Sequence, residues 1–395
     1  MTTATRAMRS SAARSGEWME DPGFGVYVHV PFCLHRCHYC DFNAYEGQDD
    51  LHDRYVDALV RTIERWQGPV RRATSVFFGG GTPSVLPPGQ LRRVLQAVTA
   101  LTGLEADAEV TIEVNPETVD QASFEAMQDA GFNRFSVGVQ SLAPHVLRGL
   151  GRQHPPDVAI AALRAARAAG VADLSVDLIY GSPWETDEDL RRSLEGVLAL
   201  APQHVSAYAL TVEEGTPLAT LVATGRVPDV DGDVQACRYE IVTTTLKAAG
   251  YTRYEISNFG LPGRASRHNV LYWSAGDYLG FGAGAHGHAA GRRWWNVRLP
   301  RDFIAAAQSP ISEEAGSESL SADESVGEAL MLGLRLASGV ELDGFRRRFG
   351  ARSLDSRRRT IADLVARGLL ERSGPHLRLT EETTLVANEA LSALL

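Results

Sequence analysis

Short apolar runs alternate with longer amphipathic segments from Phe24 to about Leu210. Six runs rich in β-branched and aromatic residues are predicted strands: Gly25–Val30, Ser75–Phe78, Glu109–Val114, Arg134–Val139, Asp173–Ile179 and Val205–Leu210. Helical spacing of apolar residues predicts helices at Asp53–Trp66, Gln90–Leu101, Val119–Ala130, Asp157–Ala169 and Asp187–Leu200. Near-continuous apolar strands separated by helices are typical of a parallel sheet buried on both faces. The pattern therefore predicts an α/β fold that closes into a (β/α) barrel or a partial barrel.

The pattern changes in the second half of the chain. A long helix is predicted at Asp233–Ala249 and a further strand at Thr252–Ser257, whereas residues 309–325 are polar and acidic and predict a linker. Beyond them, three predicted helices precede a short hairpin: Val326–Leu336, Leu342–Phe349 and Leu354–Arg367. We therefore expect a barrel with its extension over residues 22–308 and a helical, winged-helix-like domain over residues 326–395.

The first 21 residues are rich in Ala, Ser, Thr and Arg and contain no apolar core of a secretory signal. A disordered tail is the favoured interpretation of residues 1–21, and an organellar transit peptide is the less favoured one. Membrane spans need about 18 or more consecutive apolar residues, and no run approaches that length. With only 4 cysteines in 395 residues, a disulfide framework is not expected, so we predict a cytoplasmic location.

The formal net charge of −10 argues against a protein that coats nucleic acid. Seven arginines between Arg346 and Arg359 form the strongest local concentration of positive charge. Acidic residues lie among them, which favours a solvated helical face over a DNA-binding surface. We therefore expect no nucleic-acid partner.

Three of the four cysteines lie directly after the first predicted strand, at Cys33, Cys37 and Cys40, spaced C-x3-C-x2-C. Soft thiolates on one short loop suit an iron–sulfur cluster or zinc. A structural zinc site would need a fourth ligand, such as His35 or His38. Three thiolates would instead bind three irons of a cubane and leave the fourth iron open to a ligand. The fourth cysteine, Cys237, lies in a predicted helix and is interpreted as a core thiol.

Polar or glycine residues follow the predicted strands, where the chemistry of a (β/α) barrel is located. The second strand ends in a glycine turn, the third carries Glu113, the fourth ends near Gln140 and the fifth carries Asp177. Each has a structural alternative, such as a tight turn or a helix cap. Together, at the ends of successive strands, they indicate a ligand site beside the cysteines.

Cys33, Cys37, Tyr39 and Cys40 resemble the C-x3-C-x-aromatic-C signature of the radical S-adenosylmethionine (SAM) superfamily. The resemblance implies a TIM-like partial barrel in which the three cysteines hold a [4Fe-4S] cluster whose open iron binds SAM. It also implies that the following residues contact SAM or the cluster: Tyr27, Tyr39, Gly80, Gly81, Thr82, Glu113, Gln140, Arg152, Asp177, Ala209 and His286. An electron donor for the cluster is a further implication.

The sequences around the cysteines resemble a narrower branch, which contains oxygen-independent coproporphyrinogen III dehydrogenase and related heme chaperones. His268, Asn269, Tyr272 and Trp273 resemble the heme-binding motif of the chaperones. An imidazole near two large rings could ligate heme iron, or His268 could simply hydrogen-bond in the core; both interpretations stay open. His288 is a further candidate ligand. Four arginines are candidate partners of the heme propionates by proximity in sequence: Arg264, Arg267, Arg292 and Arg293.

The loop differs from that of the dehydrogenase at one informative position. The enzyme carries a further cysteine two residues after the third, and this chain has Phe42 there. The resemblance therefore favours a chaperone that delivers heme to client hemoproteins, such as respiratory-chain proteins, with homodimer formation as one further expectation. The alternative is the dehydrogenase, which produces protoporphyrinogen IX.

Overall fold

The computed structural model describes residues 13–310 and 312–395. The first part of the chain alternates strands and helices: β1 Phe24–Val30, β2 Phe32–Cys33, β3 Tyr45–Glu46, α1 His52–Glu64, β4 Ala73–Gly80, α2 Pro88–Thr102, β5 Leu104–Val114, α3 Gln121–Ala130, β6 Arg134–Gln140, α4 Pro144–Leu150, α5 Pro156–Ala168, β7 Leu174–Tyr180, α6 Asp187–Leu198 and β8 His204–Ala209. Each of the six predicted strands and five predicted helices has a counterpart here, with boundaries that differ by a few residues.

The second part is an extension of the same sheet, followed by a C-terminal unit over residues 322–395. The extension comprises α7 Pro217–Ala223, α8 Gly232–Ala248, β9 Thr252–Arg253, β10 Asn258–Gly260, α9 Arg267–Trp273, β11 Asp277–Phe281, β12 His286–Ala289, β13 Arg292–Asn296, α10 Pro300–Ala307 and β14 Glu314–Ser319. The C-terminal unit comprises α11 Ala322–Gly333, β15 Val340–Glu341, α12 Leu342–Phe349, α13 Arg358–Ala366, β16 Leu370–Ser373, β17 His376–Leu379 and α14 Ala387–Ser392.

Twelve strands of the described residues form one sheet in the order β14-β13-β12-β11-β1-β4-β5-β6-β7-β8-β10-β9. Neighbours from β11 through β1 to β8 are parallel, whereas the strands at both ends pair antiparallel. The parallel strands are apolar on both faces because helices cover the outer face and side chains fill the inner one. Since β14 and β9 end the order, the sheet is an open, partial barrel, which confirms the predicted fold class.

The C-terminal unit has its own apolar core, and a three-stranded sheet, β15-β17-β16, lies beside its helices. This is the predicted arrangement of helices followed by a hairpin. Trp18, from the N-terminal segment, belongs to this core, and its ring centroid lies 5.9 Å from that of Phe345. The N–H of the neighbouring Met19 donates to Ser274 Oγ at 3.1 Å. The predicted disordered tail therefore does not describe residues 13–21, and its first twelve residues lie outside the described part.

Three further predictions differ from the structure. The predicted linker contains β14, which pairs with β13, because the alternating residues of this polar segment suit an exposed edge strand. The predicted strand Thr252–Ser257 is interrupted where the buried carboxylate of Glu255 accepts the Ser257 N–H at 3.2 Å and turns the chain. Cys237 is exposed, so its interpretation as a core thiol is wrong. The domain boundaries themselves stay a prediction.

No helix among the described residues combines the length and the apolar composition that crossing a membrane requires.

Candidate functional site

The three clustered cysteines lie on a loop that is tied to several elements. Cys33 is the last residue of β2, which pairs in parallel with β3, so the ends of the loop meet. In the middle, the His38 N–H donates to Leu150 O at 3.0 Å, and the His38 ring bonds Gly149 O through Nδ1 at 3.1 Å. The ring of His38 is therefore fixed at the end of α4 through Nδ1.

All three thiols are partly buried. Thr82 Oγ1 lies 3.5 Å from Cys33 Sγ, and Arg152 Nη1 lies 3.5 Å from Cys37 Sγ. Burial raises the pKa of the Cys33 thiol, and it raises that of Cys40 to about 11. No three His, Cys, Asp or Glu side chains among the described residues converge on a single metal ion. In a cubane cluster, three thiolates bind three different irons and need not meet at one point.

The glycine turn at the end of β4 packs directly against the cysteine loop. The Gly81 N–H donates to Val30 O at 2.8 Å and the Thr82 N–H to Phe32 O at 2.7 Å. A Cβ at Gly81 would lie 2.6 Å from Phe32 O, and Gly80 has φ +115° with the His29 ring 2.5 Å from the position of its Cβ. Only glycine therefore allows this contact between the turn and the loop.

A cavity of about 390 Å³, the cluster cavity, joins the cysteine loop to the carboxyl ends of the strands. It is lined by all three cysteines and by nine of the eleven predicted SAM-contacting residues: Tyr39, Gly80, Gly81, Thr82, Glu113, Gln140, Arg152, Asp177 and Ala209. Residues scattered over some 180 positions in sequence thus meet in one space, as their places at strand ends predict.

Two buried carboxyl groups face this cavity. Glu113 accepts the Gly80 N–H at 3.1 Å, and burial, together with the nearby charge of Asp177, raises its pKa to about 8. Asp177 accepts from Ser136 Oγ at 3.0 and 3.1 Å, and burial raises its pKa despite those hydrogen bonds. An ammonium group entering the cavity would find an uncompensated carboxyl at Glu113.

Arg152 connects the cavity wall to the cysteine loop. Its guanidinium donates to Gly138 O at 2.6 Å and to Asn115 Oδ1 at 3.2 Å, besides approaching Cys37 Sγ. Burial acts to lower the pKa of Arg152, but Tyr39 and Cys37 raise it above its usual range. Beside it, Gln140 has φ +65° at an irregularity between β6 and β7. A non-glycine residue in this conformation is strained, and such strain is often found at functional sites.

The remaining two predicted SAM contacts, Tyr27 and His286, lie in an adjoining space of about 520 Å³, the aromatic cavity. Phe42, Gly80 and Glu113 line both cavities, so the two spaces share a border. Phe42 is 62% exposed at this border. His286 stacks on Trp295 with 6.0 Å between ring centroids, and Tyr27 bonds His29 Nδ1 at 3.0 Å.

His268, on α9, is buried with both ring nitrogens engaged. Nδ1 lies 2.9 Å from Ser75 Oγ and Nε2 lies 2.8 Å from the Tyr272 hydroxyl, while the ring stacks on Phe77 with 5.3 Å between centroids. Burial lowers the pKa of His268 to about 3. The structure therefore has the hydrogen-bonded arrangement that the sequence left open, and His268 as a heme ligand stays a prediction.

The other residues of the predicted heme motif point in different directions. Tyr272 lines the aromatic cavity, whereas Trp273 packs toward the C-terminal unit, where the Arg335 guanidinium lies 5.1 Å from its ring centroid. Asn269 lines none of the cavities described here. Motif residues three or four positions apart on one short helix share a face, but adjacent ones do not.

Several residues of the cluster cavity escaped the sequence-based prediction: Arg36, Asn115, Ser136, Ile179, Tyr208 and Glu213. Asn115 and Tyr208 stand beside predicted residues at strand ends, and that position could have identified them from the sequence.

Of the four candidate propionate partners, Arg264 pairs with Asp173 at 3.5 Å and Arg292 with Glu314 at 2.5 Å. Arg267 approaches Asp107, and Arg293 alone of the four lines a described cavity.

The chain matches known families over most of its length. The model of the radical SAM superfamily matches residues 27–197, and that of the HemN C-terminal domain matches residues 320–386. The chain is 42% identical to the heme chaperone HemW of Mycobacterium tuberculosis over 94% of this chain and 95% of that protein. It is 35% identical to the heme chaperone HemW of Bacillus subtilis over 94% and 98% of the two chains.

The fold is similar to that of coproporphyrinogen III oxidase (HemN) from Escherichia coli, a radical SAM enzyme. The TM-score is 0.79 with 22% sequence identity, covering 98% of this chain and 93% of that one. This likeness confirms the predicted fold. The two heme chaperones at 42% and 35% identity confirm the resemblance to the heme chaperone branch. The chain therefore belongs to the heme chaperone HemW family within the radical SAM superfamily.

Proposed function

We propose that this protein binds a [4Fe-4S] cluster and SAM in the cluster cavity and acts as a heme chaperone that delivers heme to client hemoproteins. One observation carries the first half: three thiols, a glycine turn and strand-end polar groups line a single cavity. The names of the relatives at 42% and 35% identity support the second half. When bound and reduced, the cluster would supply a single electron to the sulfonium of SAM.

Different residues of the cluster cavity would hold the [4Fe-4S] cluster and SAM. Cys33, Cys37 and Cys40 would ligate three irons. Glu113 offers a carboxyl group to the amino group of SAM, and the glycine turn lines the same cavity beside it. Arg152 supplies positive charge beside Cys37, which stabilises thiolate charge and a carboxylate ligand alike.

Phe42 favours the chaperone over the dehydrogenase. Its exposed ring stands at the border of the cluster and aromatic cavities, so no thiol is available at that position of the loop.

The arginines of the C-terminal unit are mostly neutralised within the chain: Arg346, Arg347, Arg352, Arg357 and Arg358 each pair with a carboxylate. This supports the expectation of no nucleic-acid partner. Hemoprotein clients, an electron donor, a homodimer and a cytoplasmic location complete the proposal.

The test is an anaerobic incubation of the reconstituted protein with SAM, dithionite and either heme or coproporphyrinogen III. We expect a stable heme absorption spectrum and unchanged coproporphyrinogen III by product chromatography. Conversion of coproporphyrinogen III to protoporphyrinogen IX would overturn the proposal in favour of the dehydrogenase. Absence of heme binding would contradict the chaperone function directly.

A further inference from the structure

A third cavity, of about 440 Å³, lies between the extended sheet and the C-terminal unit, and we call it the C-terminal cavity. Strands β11 and β12 form one side, and helices α11 and α12 form the other. Ala329, Leu332 and Phe349 give the helical side an apolar surface. Its volume is within the range of sites that bind cofactors and small ligands, roughly 300–1,000 Å³.

His288 lines this cavity. Its side chain is 20% exposed, and its Nδ1 lies 3.6 Å from Asp277 Oδ1. Among the described residues, no group hydrogen-bonds the Nε2 of His288. An imidazole with a carboxylate beside one nitrogen and a free second nitrogen is the usual arrangement of a metal-ligating histidine. His268 differs in this respect, because both of its nitrogens are engaged.

Two tyrosines separate the C-terminal cavity from the aromatic cavity. Tyr272 and Tyr278 line both spaces and contact each other edge to face, with 4.6 Å between ring centroids. Tyr278 is also the cross-strand neighbour of His288. The pair thus offers aromatic surface next to the imidazole, on which a flat apolar ligand can pack.

The charges around the cavity favour a ligand with a carboxylate. The two acidic groups of the lining, Asp277 and Glu328, face His288 and Arg293 respectively, and the Glu328–Arg293 distance is 3.1 Å. Arg348 is different: it donates to Ser274 O and Ala275 O at 2.5 Å, and among the described residues no carboxylate oxygen lies within 4.0 Å of it, although Asp277 and Asp21 act on its charge from further away. A half-buried guanidinium without a carboxylate partner is a suitable binding group for one.

We infer that heme binds in the C-terminal cavity, with His288 Nε2 on the iron, Tyr272 and Tyr278 beside the porphyrin and a propionate on Arg348. The inference rests on the proposed function, because it takes heme as the ligand. It gives His268 the role of a positioning residue that holds Tyr272. It also places heme on the far side of the tyrosine pair from the cluster-side cavities, so that heme is held apart from SAM. Because α11 and α12 form one side, movement of the C-terminal unit would expose heme to a client.

The experiment is a titration of the full-length, cluster-reconstituted protein with ferric heme, followed by absorption and electron paramagnetic resonance spectroscopy. His288→Ala should weaken heme binding at least tenfold and change the spin state of the iron, and added imidazole should restore the original spectrum. His145→Ala is the control for loss of a histidine, because its side chain is 47% exposed on α4 and lines none of the three cavities, and it should leave affinity and spectrum unchanged. A wild-type spectrum and affinity in His288→Ala would overturn the inference, whereas a wild-type protein that binds no heme would overturn the proposed function itself.

A second variant tests the cavity independently of the ligand histidine. Arg348→Gln should weaken heme binding several-fold, but it should bind heme dimethyl ester as the wild-type protein does, because the ester has no propionate charge to lose. An equal loss for heme and its ester would show a merely structural role of Arg348. Unchanged heme binding in Arg348→Gln would likewise contradict the assigned site.

Discussion

The Nε2 atom of His268 lies 2.8 Å from the hydroxyl oxygen of Tyr272, so a residue of the predicted heme motif holds another member of the same motif in place. His268 bonds Ser75 on its other side, which ties α9 to β4. The imidazole thus connects the inner sheet to the wall of two cavities.

Replacing His268 should therefore affect stability before it affects the iron. We expect His268→Ala to lower the free energy of unfolding by about 2–4 kcal/mol, because it creates a cavity and leaves two hydroxyl groups without their partner. Tyr272→Phe removes a single hydroxyl and should cost about 1 kcal/mol. Urea unfolding measures both. Unchanged stability together with a lost heme spectrum in His268→Ala would instead make His268 the ligand.

Glu113 should make stability fall with rising pH. Its folded-state pKa, about 8, lies above the ordinary value of 4.5, so the native state binds a proton that the unfolded chain has already released between these values. Glu113→Gln removes this term and should be more stable than the wild-type protein at pH 8.5, by about 1 kcal/mol or more, with little difference at pH 4.5. Urea unfolding at both pH values tests this.

The same variant should bind SAM at least tenfold more weakly, because a neutral amide cannot compensate an ammonium group. Asp129→Asn, on the exposed face of α3, is the control for loss of one carboxylate. For the stability prediction, the contradicting outcome is a free energy of unfolding of Glu113→Gln that depends on pH as that of the wild-type protein does. That result would show that Glu113 does not titrate as described.

Arg152 should matter for SAM binding more than a surface arginine nearby. Arg152→Gln removes the positive charge beside Cys37, and we expect at least a tenfold loss of SAM affinity by equilibrium dialysis of the reconstituted protein. Arg152→Lys should rescue little, because one ammonium cannot reach Gly138 O, Asn115 Oδ1 and Cys37 Sγ together. Arg148→Gln, exposed on α4, should bind SAM normally. Equal affinities for the variants at 148 and 152 would contradict this role.

The contact between the glycine turn and the cysteine loop can be tested with a single methyl group. Gly81→Ala places a Cβ 2.6 Å from Phe32 O and must displace the loop, so we expect a lower iron and sulfide content after anaerobic reconstitution. Gly89→Ala, with nothing within 4 Å of the added Cβ, should reconstitute fully. Full cluster content in Gly81→Ala would show that the loop tolerates the displacement.

Trp18 should stabilise the C-terminal unit from the other end of the chain. Its side chain, 7% exposed, packs on Phe345, and Glu20 pairs with Arg347 at 2.8 Å nearby. Trp18→Ala should lower the free energy of unfolding by about 3–5 kcal/mol, measured by denaturant titration and by faster amide exchange in α12. Val70→Ala, at a position 41% exposed, serves as the control. Protection of α12 at the wild-type level would rule out this packing in solution.

Local pattern alone determined the alternation of strands and helices and the meeting of the strand ends. An apolar run such as β1 must be buried on both faces, and its sequence shows this without naming the elements that cover it. The carboxyl ends of parallel strands lie at one edge of the sheet. For this reason Cys33, Glu113 and Asp177, far apart in sequence, were predicted together and line one cavity.

Tertiary structure alone decided the roles of single residues whose type permits several. His268 and His288 are the same residue type in the same region, yet the first meets Ser75 and Tyr272 and the second meets an open cavity. Cys237 is exposed, and Trp18 is buried in the core of the C-terminal unit. The difference depends on whether another element packs over the position. Periodicity along a chain encodes which face of an element is apolar, but the partner on that face comes from distant sequence and from packing, and the local pattern holds no information about it.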